Sequence, residues 1–251
     1  MKRKKPIDVD GYKTQEFREA ALDSQMLVME IRAKQEEIEE INKKLSTLND
    51  EIETTLRETV KMLGEIGESR STETKHHLGV VAAISVILAR KLGWSDEQIE
   101  ELEYASYLHD LGKIGIPDAI LEKPGRLSDE EYRIMTTHTT IGWELLKNSQ
   151  RPLLRQAAVI AKYHHERWDG RGYPEGLAGD EIPLVARLVG IADVIDALCS
   201  RRCYKEAWPA VKVRAFFEEE RGRQFDPKLT DVVLEHFEEI MAARDGAIAE
   251  R

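Results

Sequence analysis

The sequence predicts an all-α fold, a helical bundle preceded by one long helix, and three observations carry that expectation. Alternating β-branched residues are nowhere sustained. Helix-start signals recur: Ser95 with Gln98, and Ser128 with Glu131, have the spacing of a capping box. Between residues 26 and 66 apolar residues repeat every seven positions, with no proline and no glycine before Gly64.

In chain order, residues 1–24 are polar and aperiodic, with Pro6 and Gly11, and read as a loose lead-in. Lys2 to Lys5 is a solvated basic tail, without the apolar run that a secretion signal needs. Residues 25–66 are the long helix. Ile31, Ile38, Leu45, Ile52, Thr59 and Ile66 form one row of a seam, and Ile41, Leu48, Thr55 and Met62 its companion. The mostly β-branched first row favours two parallel strands, so a parallel homodimer through a coiled coil is expected. The alternative is a single amphipathic helix packed on its own domain. Lys34, Thr55 and Thr59 weaken the seam and help to set its register.

Gly64 and Gly67 set the domain boundary, with the bundle at 67–245 and a tail at 246–251. Helices are expected at 74–92, ended by Gly93, and at about 96–111, ended by Gly112, Gly115 and Pro117. The Ser128 capping box opens a helix that carries His138. A helix at 152–163 delivers His164 and His165, and one at 183–198 bears Asp193 and Asp196. Residues 166–182 are rich in glycine and form an ordered loop. Asp226-Pro227 suits the N-cap and first turn of the last helix.

Composition narrows the function. With 41% hydrophobic and 33% charged residues among 251, the chain affords a domain with a real core plus an extension. A net charge of -10 argues against a nucleic-acid polymer as partner. The longest apolar run, 80–89, falls short of the roughly 20 residues of a membrane span. Two cysteines, Cys199 and Cys203, four apart in a helical-looking segment, suit free thiols in a reducing cytoplasm.

The chemistry concentrates in histidines beside carboxylates: His109-Asp110, His164-His165-Glu166, His138 and His77. Adjacent helical side chains diverge by roughly 100° and serve one ion poorly, so two such pairs point to at least two metals. Glu73 and His77, at i and i+4, share a helix face, and Asp193 adds a hard oxygen. Imidazole and carboxylate without thiolate favour iron, manganese, zinc or nickel. Water between two such ions deprotonates near neutral pH and can attack phosphorus, while Lys113 can stabilise charge on a phosphate oxygen. His76 reads as a surface residue and His236 as structural or exposed. Asp196 reads as a partner of a ligand or a helix-packing group, and Glu166 as a histidine-orienting group or the start of the loop. The tryptophans read as packing residues, with Trp168, inside the loop motif, the one to test as a stacking platform.

His109-Asp110-Leu-Gly-Lys113-Ile resembles the motif of the HD metal-dependent phosphohydrolases. His164-His165-Glu166-x-x-Asp169-Gly170-x-Gly172-Tyr173-Pro174 resembles the signature of their HD-GYP subfamily. The resemblance extends to Glu68-Ser-Arg70-Ser-Thr-Glu73-Thr74 with His77, to Ile191-Ala-Asp193-Val-Ile-Asp196, and to Phe225-Asp226-Pro227. It implies an HD-type helical bundle that cleaves cyclic di-GMP to pGpG or GMP at two or three divalent metal ions, usually iron or manganese. By position it implies Glu73, His77, His109, Asp110, His138, His164, His165 and Asp193 as metal ligands, with Glu73 marking a third ion. Asp110 and Lys113 are the implied catalytic residues. Lys113, Tyr173, Arg202 and Lys205 are the implied substrate contacts, and an upstream sensor or GGDEF-type protein the implied partner. The chain departs from the family pattern at Ser71, Lys75, Val80 and Cys203. Alternatives are another cyclic dinucleotide or nucleotide as substrate, or a regulator that binds without turnover.

Overall fold

The structure, a computed structural model, describes residues 9–69, 76–200 and 206–249, with side chains from residue 17 onward. Helix α1 runs Val9–Glu68. Exposed i,i+4 pairs support it, Glu30 with Lys34 at 3.6 Å and Glu40 with Lys44 at 2.6 Å. The stretch read as a loose lead-in is therefore helical from Val9 on. Its only breaker inside the helix is Gly11, which a long helix tolerates at modest cost.

The chain divides into two compact units, Met1–Leu56 and Arg57–Arg251, ahead of the boundary expected near Gly64 and Gly67. α1 continues through both glycines because they serve close packing. A Cβ on Gly64 would lie 2.5 Å from the Tyr107 carbonyl oxygen. In the first unit the seam residues Ile31, Ile38, Leu45, Leu48 and Ile52 are all exposed.

The second unit is a helical bundle. After the end of α1 come α2 (His77–Lys91), α3 (Asp96–Ser106), α4 (Asp118–Leu121), α5 (Asp129–Thr136), α6 (His138–Leu146) and α7 (Pro152–Tyr163). Then follow α8 (Leu184–Cys199), α9 (Ala210–Glu220), α10 (Pro227–Glu235) and α11 (Phe237–Ala249). No strand forms among the described residues, only isolated bridges such as Asp169 with Ala178. α2 packs against α3, α8 and α11, which explains why its run 80–89 is apolar on every side. Val80, Val81, Ile84 and Leu88 are fully buried there, as are Leu188, Val189 and Ile195 of α8. The last turns of α1 hold Arg57 2.9 Å from Glu100 and Lys61 over the Tyr104 and Tyr107 rings.

Three helix ends differ from the sequence reading, each for a local reason. α3 stops at Ser106 instead of about 111, because the chain tightens into i→i+3 bonds. His109 N–H donates to Ser106 (3.2 Å), Leu111 to Leu108 (3.2 Å) and Lys113 to Asp110 (2.9 Å). The Ser128 capping box forms, but its helix α5 ends before His138, which instead opens α6. Asp226 caps α10 by accepting from the Lys228 N–H at 2.8 Å, yet the chain breaks at His236 and α11 follows as a separate helix.

Candidate metal centre

The histidines and carboxylates of the bundle sit at helix ends. His77 is the first residue of α2 and His138 the first of α6. His164 follows the end of α7, and His109 and Asp110 lie in the turn after α3. Gly112 makes this possible, since a Cβ there would be 1.8 Å from the His138 carbonyl oxygen. Only glycine lets the His109-Asp110 turn touch α6. Asp193 projects from α8.

Four imidazoles are held in one tautomer by their surroundings. Nδ1 of His77 lies 2.8 Å from Asp196 Oδ2, and Nδ1 of His109 2.8 Å from the Ser106 carbonyl. Nδ1 of His138 lies 2.8 Å from the Met135 carbonyl, and Nδ1 of His164 3.0 Å from that of Ile160. An acceptor at Nδ1 requires the proton there, so each Nε2 presents its lone pair. Asp196 is itself held by Ser200, whose hydroxyl donates to it at 3.0 Å, and by Arg244 at 3.6 Å.

These lone pairs converge on one another. Asp110 Oδ1 lies 3.2 Å from His138 Nε2 and 3.6 Å from His164 Nε2, and all three atoms are buried without a protein hydrogen bond. On its other side Asp110 Oδ2 lies 3.3 Å from His109 Nε2. His109 Nε2 is 3.4 Å from His77 Nε2, which is 3.6 Å from Asp193 Oδ1. Buried acceptors facing acceptors are costly unless a cation lies among them. The donor set fits divalent ions: Asp110, His138, His164 and His165 form one group and His77, His109 and Asp193 another, with ligand atoms of each within 4.8 Å. Asp110, a member of the first group, places its other oxygen beside His109 of the second.

Burial and charge tune these groups for metal. Burial pushes the His138 imidazole down to about 4 against the pull of Asp110. Burial, with His164 beside it, holds His165 well below the usual histidine range. Both are thus neutral, as ligands must be. Burial alone would raise the Asp110 carboxyl, but Lys113 and His109 outweigh it and hold the group well below its ordinary value. Burial opposes protonation of His109, and Asp110 overcomes this to shift it upward.

Lys113 Nζ lies 2.7 Å from Asp110 Oδ2. Tyr173 stacks on His165 with ring centroids 4.9 Å apart, and burial raises its hydroxyl pKa. Of the expected site residues the structure thus brings together His77, His109, Asp110, Lys113, His138, His164, His165, Tyr173 and Asp193. Glu73, Arg202 and Lys205 lie outside the described residues, as do Ser71 and Cys203.

The loop residues divide by role. Glu166 accepts from the Glu175 and Gly176 N–H groups at 2.8 and 3.0 Å, pinning the loop beyond Tyr173. Trp168 packs under the Arg187 guanidinium, 5.4 Å from its ring, and Arg187 pairs with Asp226 at 2.6 Å. Trp168 and Asp226 therefore tie the loop to α8 and α10. Two residues near the centre escaped the sequence reading as site residues. Tyr132, exposed on α5, meets Tyr173 edge-on at 6.3 Å. Glu68, at the end of α1, lies 3.6 Å from Lys113. Tyr132 has no local signal, and Glu68, though it opens the motif stretch that leads to His77, is placed at the centre by Lys113, distant in sequence.

Comparison with known proteins agrees with this geometry. The family model for the HD domain matches residues 48–229. The chain is 41% identical over 211 residues to the cyclic di-GMP phosphodiesterase response regulator RpfG of Xanthomonas campestris, covering 82% of this chain and 56% of that protein. It is 44% identical over 190 residues to the 3'3'-cGAMP-specific phosphodiesterase 2 of Vibrio cholerae (76% and 36% covered). It is 43% identical over 190 residues to the cyclic di-GMP phosphodiesterase of Thermotoga maritima (76% and 52% covered). The chain spans about a third to just over half of the length of these relatives. In fold it is similar to the crystal structure of a cyclic GMP-AMP phosphodiesterase of V. cholerae, with a TM-score of 0.55, 18% identity, and 75% of this chain and 50% of that one covered. It is also similar to an HDG"Y"P protein from Bdellovibrio bacteriovorus, with a TM-score of 0.52, 21% identity, and 66% and 52% covered. With the family match spanning most of the chain and the histidine–carboxylate motifs folded around one centre, the chain belongs to the HD domain family and, by its loop signature, to the HD-GYP branch.

Proposed function

We propose that the chain is a metal-dependent phosphodiesterase that hydrolyses cyclic di-GMP to pGpG, GMP or both. The observation that carries this reading is the set of buried, unpartnered lone pairs on Asp110, His138 and His164, facing one another. It lies in a chain more than 40% identical to proteins named cyclic di-GMP phosphodiesterases. His77, His109, Asp110, His138, His164, His165 and Asp193 would hold two divalent ions, and Glu73 would mark a third. Iron or manganese suits the oxygen- and imidazole-rich set best, with zinc and nickel as the other candidates. Bound ions supply Lewis acidity at phosphorus and lower the pKa of water.

The protein's own groups do the rest. Asp110, with one oxygen beside His138 and the other beside His109, would stand between the two ligand groups. Lys113, beside it, is within reach to neutralise a non-bridging phosphate oxygen. Tyr173, Arg202 and Lys205 are the proposed substrate contacts. The exposed seam of α1 supports a parallel homodimer, through which a sensor or GGDEF-type partner reaches the bundle. No helix among the described residues is long and apolar enough to cross a membrane, and the cytoplasm is the proposed location.

A second reading keeps the chemistry and changes one base. It is favoured by 44% identity to a protein named as specific for 3'3'-cGAMP. Turnover of cyclic di-GMP, 3'3'-cGAMP and cyclic di-AMP by manganese- or iron-loaded protein, prepared without oxygen, separates the readings. Preferred cleavage of cyclic di-GMP is expected. Preference for 3'3'-cGAMP would select the second reading. Metal binding without cleavage of any of the three would make the chain a non-catalytic regulator.

A further inference from the structure

Resting on the metal-centre reading, we propose that Glu68 is a further ligand of the centre, contributed by the last residue of helix α1 to the ion held by His77. A carboxylate oxygen of Glu68, a ring nitrogen of His77 and a carboxylate oxygen of Asp110 lie within 4.8 Å of one another. The Glu68 side chain is only 9% exposed. His77 Nδ1 is taken by Asp196, so Nε2 is the atom that faces both Glu68 and the group with His109 and Asp193. One imidazole lone pair serves one ion. Glu68 therefore joins the shell of the His77 ion and does not found a separate site. His77, His109, Asp193, Asp110 and Glu68 would together offer imidazole and carboxylate donors that suit manganese or iron.

Lys113 adds to the argument. Its ammonium lies 2.7 Å from Asp110 Oδ2 and 3.6 Å from Glu68 Oε1, between two carboxylates that a cation would also use. In the metal-free chain this ammonium offsets their charge. A cation held by these carboxylates would compete with it, and Lys113 could then serve a substrate phosphate. Metal and lysine thus compete for the same two carboxylates, Glu68 and Asp110. The residue that ends the long helix then belongs to the coordination shell itself, giving α1 a direct mechanical input to the metal.

The test is anaerobic titration with Mn2+ alone, reading ions bound per chain and the exchange-coupled paramagnetic resonance signal. The full chain is used, with far-ultraviolet dichroism to check folding. Glu68→Gln should weaken one ion by at least about tenfold and remove the coupled signal, while the second ion stays bound. Unchanged stoichiometry, affinity and coupling would overturn the proposal. So would a loss seen with Glu73→Gln but not with Glu68→Gln. If Glu68→Gln loses helix content, Lys113→Gln decides: removing the competing ammonium should tighten Mn2+ binding severalfold, and unchanged affinity would overturn the proposal. Asp110→Ala separates the two levels. If it leaves both ions bound, the metal-centre reading itself fails. If it loses them while Glu68→Gln does not, only the role of Glu68 fails.

Discussion

The metal centre and the seam of α1 invert the usual burial rule in opposite directions. At the centre polar atoms are inside: His109 is fully buried, and Asp110, His138 and His164 are at most 5% exposed. On α1 apolar side chains are outside: Ile31, Ile38 and Leu45 are 48%, 56% and 53% exposed. A buried lone pair without a donor and an exposed apolar row without a cover are both unfavourable in an isolated chain. Each inversion names what resolves it, by chemistry in one case and shape in the other. Converging lone pairs call for cations, and a seven-residue apolar repeat calls for a second helix of like spacing.

The largest expected effect follows from Asp110, whose oxygens lie beside both His138 and His109. Asp110→Ala should lower phosphodiester turnover by about a thousandfold or more, the scale of losing one preorganised charge-stabilising group. Helix content should be retained in circular dichroism. Wild-type turnover in that variant would remove Asp110 from the chemistry and collapse the contrast between the two regions.

One step out, Asp196→Asn tests whether orientation matters as much as the donors. The amide can still accept from His77 Nδ1 but loses the charge that raises its basicity. Metal affinity should fall by about 10–100-fold, with turnover largely recovered at high Mn2+. A loss of turnover that excess metal cannot restore would place Asp196 in the chemistry instead.

Asp196 also shows how much was legible. It sits in a short contiguous motif, and its reading as a partner of a histidine agrees with its contact with His77. The helical class, both capping boxes and the Asp226 cap were legible for the same reason, being signals within four residues. The end of α3 was not, because the tight i→i+3 turn through Asp110 is set by contact of Gly112 with α6. Nor was the break between α5 and α6 at Thr137, which leaves His138 at the start of a new helix. Glu68 and Tyr132 reach the centre through tertiary contacts, Glu68 with Lys113, His77 and Asp110, and Tyr132 with Tyr173. Periodicity reports which face of a helix is apolar; it does not report where a neighbouring backbone cuts the helix short.

Metal removal should register as stability. An ion bound at a hundred times its Kd stabilises the native state by about 2.7 kcal/mol. For a bundle of this size that amounts to a Tm lower by roughly 5–10 °C after chelation. The same treatment should leave the helix of the first unit little changed, since no proposed ligand lies there. An equal loss in both regions would mean that they fold as one unit.

The smallest effect on chemistry, and the sharpest test of the other inversion, belongs to the seam. Ile38→Glu with Leu45→Glu sets like charges at successive positions of one row, where two copies would bring four carboxylates together. Sedimentation should report half the mass of the unsubstituted chain. Mn2+ content should not change, because no ligand lies before residue 68. Turnover per chain should change by less than about tenfold, since the proposed ligands all come from one bundle and a second copy on the seam would act only through the end of α1. An unchanged mass would mean that the row has a cover other than a second copy. A fall in turnover as deep as that of Asp110→Ala would mean that the centre is assembled only in the dimer, and the two regions would then be parts of one site.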